Sequence, residues 1–191
     1  MKKRIAIFAS GNGTNAENII NHFKNSDLAE VFLVLSNSGK AKVIEKATKH
    51  NINTLLFTRD GLNNENDVLN TLLSHNIDFI ILAGFLLKFP KHILDHFPDR
   101  VINIHPALLP KYGGKGMYGM HIHKAVVENR ENETGITIHY VDENYDEGRV
   151  IFQAKKKIST QDTPEQVAEK IHKLEQEHFP NVIESIIKNH T

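Results

Sequence analysis

Asn103 and His105 stand two residues apart at the start of the stretch NIHPALLPKYGG. An apolar run precedes them, and residues two apart on a strand point to the same face. Pro106 then ends the strand. An amide donor beside an imidazole suits acyl transfer without a covalent enzyme intermediate, because the amide can stabilise an oxyanion and the imidazole can move a proton. A histidine before a proline at a strand end is also a common structural residue, and the pair alone does not decide between these roles.

A carboxylate that reaches this histidine would complete a proton-transfer arrangement. The stretch YDEGRVIF places Asp146 just before a glycine that starts a predicted strand. A carboxylate beside His105 would orient the ring and favour its protonated form. Asp142, Glu143 and Glu147 lie in the same turn and offer the same chemistry. The sequence therefore predicts a carboxylate from this turn without choosing among the four.

A glycine-rich loop near the N-terminus, FASGNGTNAENII at 8–20, follows an apolar run and leads into a predicted helix. Its Gly11-x-Gly13-x-x-Ala16 pattern fits the loop that binds dinucleotide phosphates, where the glycines admit a phosphate to the helix N-terminus. A dinucleotide site also requires an acidic residue about 20 residues later. Residues 36–38 read Ser-Asn-Ser instead. The loop thus favours a monophosphate over a dehydrogenase cofactor, and a tight turn without a ligand is the alternative.

The remaining histidines offer less chemistry. His121 and His123 form an H-x-H pair of metal-ligand type, but no close cluster of further ligands completes it, so we expect no metal site. The chain has no cysteine, which excludes thiol catalysis and Cys-ligated metals. We expect solvated side chains for the histidines on predicted helices or at their ends, which are His22, His50, His75, His92, His96, His172, His178 and His190.

Composition and charge narrow the function classes. Lys and Arg total 23, and so do Asp and Glu, so the formal net charge is zero and we expect no nucleic-acid partner. The apolar run Ile5–Ala9 is too short for a signal peptide. No apolar stretch approaches the roughly 20 residues of a membrane-spanning helix. We therefore expect a cytoplasmic protein with no membrane partner, and the length of 191 residues predicts a single domain.

The predicted elements that position these residues alternate along the first half of the chain. Strands are predicted at 4–9, 30–36, 53–58, 78–85 and 101–105, and helices at 15–23, 41–50, 64–75 and from about Pro90. Such alternation predicts an α/β fold with an open, mostly parallel, Rossmann-like sheet and helices on both faces. Ligands of such sheets bind at the carboxyl ends of the strands.

The second half of the chain changes character. Residues 112–121 are rich in glycine and predict an irregular segment. Segments 133–141 and 148–158 predict an antiparallel C-terminal strand pair. The stretch 163–189 predicts either one long helix or two helices that are broken at Pro180.

Taken together, several segments resemble the folate-dependent phosphoribosylglycinamide formyltransferase family. They are ASGNGTN, LAGFLLKF, VINIHPALLPKY, GITIHYVDENYDEG and VIFQAK, in the order expected for that family, and the resemblance runs from Lys3 to about Ile187. It implies formyl transfer from 10-formyltetrahydrofolate, as cosubstrate, to the amine of glycinamide ribonucleotide in de novo purine (IMP) biosynthesis. It implies no metal, and we expect a monomer or a homodimer that acts on small molecules.

The resemblance also implies residue roles. Asn103 and His105 would flank the formyl carbon, and Asp146 would tune His105. The ribonucleotide would bind at Gly11, Asn12, Gly13, Thr14, Asn15 and Glu175. The folate would bind at Leu86, Leu87, Lys88, Phe89, Asn103 and Val141. Within the single domain 1–191, we expect a phosphate-binding half at 1–100 and a catalytic and folate-binding half at 101–191.

Two other functions remain open. A formyltetrahydrofolate hydrolase would use water in place of the amine, and a non-catalytic nucleotide-binding module would bind the phosphate ligand without turnover. The first predicted strand begins at about Arg4, which leaves no room for the regulatory domain of the hydrolase, so we expect the transferase. Turnover with and without the amine substrate distinguishes the three.

Overall fold

A single twisted sheet organises the molecule. The computed structural model describes residues 1–64 and 67–190, and it contains a seven-stranded sheet of order β3-β2-β1-β4-β5-β6-β7. The strands are β1 (Lys3–Phe8), β2 (Ala29–Ser36), β3 (Asn53–Leu56), β4 (Phe79–Leu82), β5 (Val101–His105), β6 (Glu133–Tyr140) and β7 (Val150–Lys157). The first five pair in parallel, and the last two join the sheet as antiparallel strands. The predicted sheet is confirmed.

Helices cover both faces of this sheet, as the alternating pattern predicts. They are α1 (Thr14–Phe23), α2 (Lys42–Lys49), α3 (Arg59–Asn63), α4 (Val68–Ser74), α5 (Lys91–His96), α6 (Met120–Glu128) and α7 (Pro164–Asn189). One apolar cluster joins Ile7 of β1 to α1, α2, α6 and α7, and a second joins Phe8 of the same strand to α3, α4 and α5. Because both faces of β1 are covered, the strand is apolar at successive positions rather than at alternate ones.

The region after β3 differs from its prediction. The strand ends at Leu56 rather than 58, and α3, which the pattern does not predict, follows it. Helix α4 lies within the helix that is predicted over 64–75 and is shorter. Residues 65 and 66 of that predicted helix lie outside the described residues. The side chain of Thr58 accepts a hydrogen bond from the backbone N–H of Gly61 and so caps α3. A five-residue helix shows no apolar periodicity, and for this reason the pattern misses it.

Helix α6 is a second correction. Residues 112–121 are predicted to be irregular, but a helix begins at Met120 and continues to Glu128. Its apolar residues Ile122 and Val126 are fully buried in the cluster that contains α7. The glycines before the helix conceal its start, because the last of them, Gly119, occupies the N-cap position where Ser, Thr, Asp or Asn is the usual signal.

Helix α7 is continuous through Pro180, which decides between the two predicted alternatives. It opens with a capping box in which Thr163 and Gln166 bond to each other's backbone, and Pro164 occupies the first turn. Of the helices in the described ranges, none is long and apolar enough to cross a membrane.

Candidate active site

A cavity of about 810 Å³ opens at the carboxyl ends of β1, β4 and β5. The loop before α1, the ends of β4 and β5, the glycine-rich segment 114–119, and helices α6 and α7 all contribute to its walls. This is the edge of the sheet where the parallel topology predicts a ligand.

Most of the predicted site residues meet in this one cavity. It is lined by Gly11, Asn12, Gly13, Thr14, Asn15, Leu86, Asn103, His105, Asp146 and Glu175. The predicted folate residues Leu87, Lys88, Phe89 and Val141 are not among the lining residues. Phe89 is only 3% exposed, and its ring packs edge-on against Phe8 with centroids 5.2 Å apart. Leu87 and Val141 pack against the same apolar cluster.

Asn103 is held by a histidine that the sequence analysis did not assign to the site. Its Nδ2 atom lies 3.1 Å from Nε2 of His139, which is buried on β6 directly opposite Asn103. Nδ1 of His139 lies 2.8 Å from the carbonyl oxygen of Tyr140 and must donate to it, so Nε2 is the acceptor. The amide of Asn103 is thereby oriented with one N–H bonded and the other unused by this contact. No linear spacing reveals this pair, because it arises from the register between β5 and β6.

The imidazole of His105 has an acceptor at each nitrogen. Nε2 donates to the carbonyl oxygen of Tyr112 at 2.8 Å, and Nδ1 lies 3.4 Å from Oδ1 of Asp146. The residue is 4% exposed. Two facing acceptors suit a ring that carries a proton on both nitrogens. His105 can therefore act as a proton donor at this place.

Of the four candidate carboxylates, Asp146 is the one that faces the histidines. Its Oδ1 atom lies 3.4 Å from His105 and 3.7 Å from Nε2 of His139, and its Oδ2 atom accepts the backbone N–H of Gly114 at 2.9 Å. Burial alone would raise the pKa of Asp146. Contacts that include His105 and the Gly114 N–H outweigh burial and hold this pKa well below its usual range.

The other acidic residues of the turn point elsewhere. Asp142 accepts the backbone N–H of Asn144 at 2.9 Å, as in an Asx turn. Asp142, Glu143 and Glu147 are all exposed. They are thus available as matched controls for Asp146.

The glycine loop presents an open helix end to the cavity. Gly13 is the N-cap of α1 with a φ of 70°, and no side chain caps the helix. The first-turn N–H groups and the helix dipole are therefore available to an anion. A Cβ on Gly13 would lie 2.5 Å from side-chain atoms of Val43, whereas a Cβ on Gly11 would meet no atom within 4 Å. Gly13 is thus required by the packing of α1 on α2, and Gly11 is not.

The segment where a dinucleotide-binding protein would hold an acid instead supports this loop. Asn37 Oδ1 accepts a hydrogen bond from the hydroxyl of Ser10 at 2.7 Å. The same hydroxyl oxygen accepts the backbone N–H of Leu86 at 3.1 Å. Ser10 therefore ties the glycine loop to the segments that follow β2 and β4.

Helix α7 adds a carboxylate to the ribonucleotide side of the cavity. Oε2 of Glu175 accepts a hydrogen bond from Nδ2 of Asn15 at 3.0 Å and lies 3.3 Å from Nδ1 of His172. Hydrogen bonding to Glu175 raises the pKa of His172, and this effect exceeds the opposing effect of burial. The side chain of His172, which is predicted to be solvated, is 36% exposed and lines the cavity, where Glu175 binds it.

The two histidines of the H-x-H pair lie on different faces of α6. His123 is 6% exposed and lines the cavity, and burial lowers its pKa. His121 is exposed on the same helix. Within residues 1–64 and 67–190, no group of three or more His, Asp or Glu side chains is arranged to hold a metal ion.

Comparisons with known proteins agree in family and fold. A family model described as formyl transferase matches residues 3–183. The chain is 36% identical over 198 residues to the chloroplastic phosphoribosylglycinamide formyltransferase of Arabidopsis thaliana, covering 98% of this chain and 68% of that protein. It is 35% identical to the phosphoribosylglycinamide formyltransferase of Bacillus subtilis, covering 97% and 95%. A crystal structure of the Bacillus halodurans phosphoribosylglycinamide formyltransferase superimposes with a TM-score of 0.88 at 34% identity, over 99% of this chain and 97% of that chain.

Proposed function

The chain belongs to the formyl transferase family, and from this premise we propose that it transfers the formyl group of 10-formyltetrahydrofolate to the amine of glycinamide ribonucleotide, in purine biosynthesis. The observation that carries the proposal is one cavity shared by an uncapped helix end and a pair of donors at the end of β5. The helix end at Gly11–Asn15 suits a phosphate, and Asn103 and His105 suit an oxyanion.

The ribonucleotide is proposed to bind along α1 and α7. Its phosphate accepts hydrogen bonds from the N–H groups at the start of α1, where Gly11 leaves room beside the backbone. Asn15 and Glu175 then face the ribose and the amine end of the substrate. The carboxylate of Glu175 can accept from hydroxyl groups or from the amine. This arrangement would direct the amine toward the end of β5.

The proposed chemistry is direct attack by the neutral amine. A bond forms between the amine nitrogen and the formyl carbon, and the formyl oxygen becomes an oxyanion in a tetrahedral adduct. The Asn103 amide and protonated His105 donate hydrogen bonds to it, and one such donor is worth about 3 to 4 kcal/mol in other enzymes. The adduct collapses as the bond to the folate nitrogen breaks, and a proton lost from the amine ends on that nitrogen. No covalent enzyme intermediate is needed.

His105 requires one rearrangement to take this role. Its Nε2 donor is occupied by the Tyr112 carbonyl oxygen at 2.8 Å, so this oxygen stands where a substrate oxygen would accept. We propose that the formyl oxygen replaces it as the acceptor. Asp146 remains on the other side of the ring, where its Oδ1 atom faces Nδ1 as an acceptor.

The folate is proposed to enter beside the end of β4. Leu86 is 50% exposed and lines the cavity. Its backbone N–H is already bonded to Ser10, so donation from main-chain N–H groups to the pterin falls to Leu87 and Lys88, while the Leu86 carbonyl oxygen can still accept. Phe89 is a core residue and would support this segment from beneath. Val141 would contribute from the opposite side of the folate pocket.

The protein is also proposed to act in the cytoplasm, as a monomer or a homodimer, on small-molecule substrates alone. No contact in the described site favours the hydrolase or the non-catalytic nucleotide-binding module over the transferase. A turnover assay distinguishes the three functions. Purified protein is mixed with 10-formyltetrahydrofolate, and release of tetrahydrofolate is followed by absorbance with and without glycinamide ribonucleotide. The proposal expects release only when the ribonucleotide is present. Equal release without it would indicate a hydrolase, and ribonucleotide binding without release would indicate a non-catalytic module.

A further inference from the structure

Thr137 lies on β6, next to β5, and its buried hydroxyl makes three hydrogen bonds. Its Oγ1 atom donates to the carbonyl oxygen of Ala107 at 2.7 Å, and accepts from the backbone N–H of Leu109 at 3.0 Å and from Nε2 of Gln153 at 2.9 Å. The residue is 0% exposed. A hydroxyl has one proton to donate and two lone pairs, so these three bonds use its full capacity.

The register of the sheet places this hydroxyl beside the catalytic histidine. Thr137 on β6 pairs directly with His105 on β5, and Gln153 on β7 pairs directly with Thr137. Directly opposite residues of antiparallel strands share a face, with Cβ atoms about 4.5 to 5.5 Å apart. His105, Thr137 and Gln153 therefore form a row across three strands.

The segment that Thr137 holds is the one that carries the acceptor of His105. Pro106 ends β5, and the following backbone leaves the sheet without strand partners. Thr137 bonds Ala107 and Leu109 there, and Gln153 Nε2 also donates to the Leu109 carbonyl oxygen at 3.0 Å. Three residues after Leu109, the carbonyl oxygen of Tyr112 accepts the Nε2 donor of His105.

We propose that Thr137 is a positioning residue for formyl transfer, which sets the direction of the His105 imidazole through the segment Pro106–Tyr112. The inference rests on the proposed function of His105. Thr137 is not among the residues that line the cavity, so it acts through its neighbours and not on the substrate. Loss of its hydroxyl leaves a carbonyl, a backbone N–H and the Gln153 amide without their shared partner, and the segment must shift to find others.

The test compares two substitutions of Thr137 with a matched control. Thr137→Val keeps the shape and removes the hydroxyl, whereas Thr137→Ser keeps the hydroxyl. Thr134→Val makes the same chemical change at another buried position of β6, and Thr134 takes no part in this network. We expect Thr137→Val to lower kcat by about tenfold to a hundredfold, since a displacement of about 1 Å can cost a hundredfold. Thr137→Ser should recover to within about threefold, and Thr134→Val should match the wild type.

Two further readouts separate positioning from stability. The KM for each substrate should stay within about twofold in Thr137→Val, and the imidazole nitrogen signals of His105 in NMR spectra should shift. A folded Thr137→Val protein with a lower melting temperature, wild-type kcat and unchanged His105 signals would overturn the proposal. If Thr137→Val does not fold, Gln153→Leu removes two bonds of the network from the exposed side, those of Gln153 Nε2 to Thr137 Oγ1 and to the Leu109 carbonyl oxygen. It should move the same His105 signals, and unmoved signals would overturn the proposal.

The His105 signals also make the two proposals separable. Failure of the wild-type protein to form the formylated ribonucleotide would refute the proposed function. The NMR comparison of Thr137→Val with Thr134→Val would still report whether Thr137 sets the histidine, because it requires no turnover.

Discussion

Oδ1 of Asp146 lies 3.4 Å from Nδ1 of His105, while Oδ2 of the same carboxylate accepts the backbone N–H of Gly114 at 2.9 Å. One carboxylate therefore connects the imidazole to the glycine-rich segment that borders the cavity. The backbone of Asp146 has a φ of 60°. Asp and Asn tolerate this left-handed conformation better than other non-glycine residues, so Asp146→Asn preserves the turn and removes only the charge.

Asp146→Asn should lower kcat at neutral pH by at least about tenfold. The anionic acceptor that faces Nδ1 of His105 is lost, and a hydrogen bond to a charged group is worth about 1.5 to 3 kcal/mol. Steady-state kinetics would measure the effect. Asp142→Asn, Glu143→Gln and Glu147→Gln serve as controls and should change kcat by less than about twofold, because these side chains are exposed. A larger loss in one of the controls would assign the role to that carboxylate instead.

The same carboxylate should make stability depend on acid pH. The folded-state pKa of Asp146 is below its ordinary value, so its ionised form stabilises the fold above the unfolded-state pKa of about 3.9. This contribution is lost as the pH falls from about 5 toward the folded-state pKa. The difference in free energy of unfolding between wild type and Asp146→Asn should therefore shrink from pH 6 to pH 2. Urea denaturation at several pH values would measure it, and a constant difference would contradict the assignment.

The two loop glycines should respond differently to alanine. Gly13→Ala should destabilise the protein by about 1 to 3 kcal/mol, because its Cβ would meet Val43 and its φ is 70°. Gly11→Ala should leave stability nearly unchanged and weaken ribonucleotide binding, since its methyl group would project from the loop that lines the cavity. Thermal melting and calorimetry with each substrate would test both effects. Equal losses of folate and ribonucleotide affinity in Gly11→Ala would argue against a phosphate at this loop.

Asn103→Ala should lower kcat by about a hundredfold or more, with a much smaller change in KM, since loss of one oxyanion donor has this effect in other enzymes. His105→Ala should do the same. His121→Ala is a suitable control, because His121 is exposed on α6 and is not among the cavity-lining residues. Wild-type kcat in either active-site variant would remove that residue from the catalytic set.

Glu175→Gln should lower the pKa of His172 and weaken ribonucleotide binding. The hydrogen bond to Glu175 is the main cause of the raised pKa, and without it burial acts in the opposite direction. Glu169→Gln is the control on the same helix, since Glu169 pairs with Lys173 on the exposed surface. An NMR titration of His172 in the two variants would test the assignment. A pKa of His172 that moves only in Glu169→Gln would contradict it.

The fold follows from the sequence because its main signals are local. Apolar strands alternate with helices up to His105, and this alternation allows few arrangements other than the observed parallel sheet. Apolar periodicity does not predict helices that are very short, or the start of a helix that follows a glycine-rich segment. Helix α3 has only five residues, and the start of α6 follows Gly119.

The site was less accessible from the sequence, because its contacts are long-range. The common face of Asn103 and His105 follows from a spacing of two. The pairing of Asn103 with His139 and of Asn15 with Glu175 depends on strand register and on the docking of α7. The choice of Asp146 among four acids likewise depends on the backbone conformation of the turn. Phe89 belongs to a motif from which folate binding is predicted, but its side chain lies in the apolar core.

The most direct test of the account follows the formyl carbon itself. Wild-type protein is incubated with 10-formyltetrahydrofolate labelled with ¹³C in the formyl group and with glycinamide ribonucleotide, and the products are separated by mass spectrometry. The label should appear on the ribonucleotide amine, formate should not accumulate, and Asn103→Ala and His105→Ala should abolish most of the transfer. Label released as formate, or transfer that persists at the wild-type rate in both variants, would contradict it.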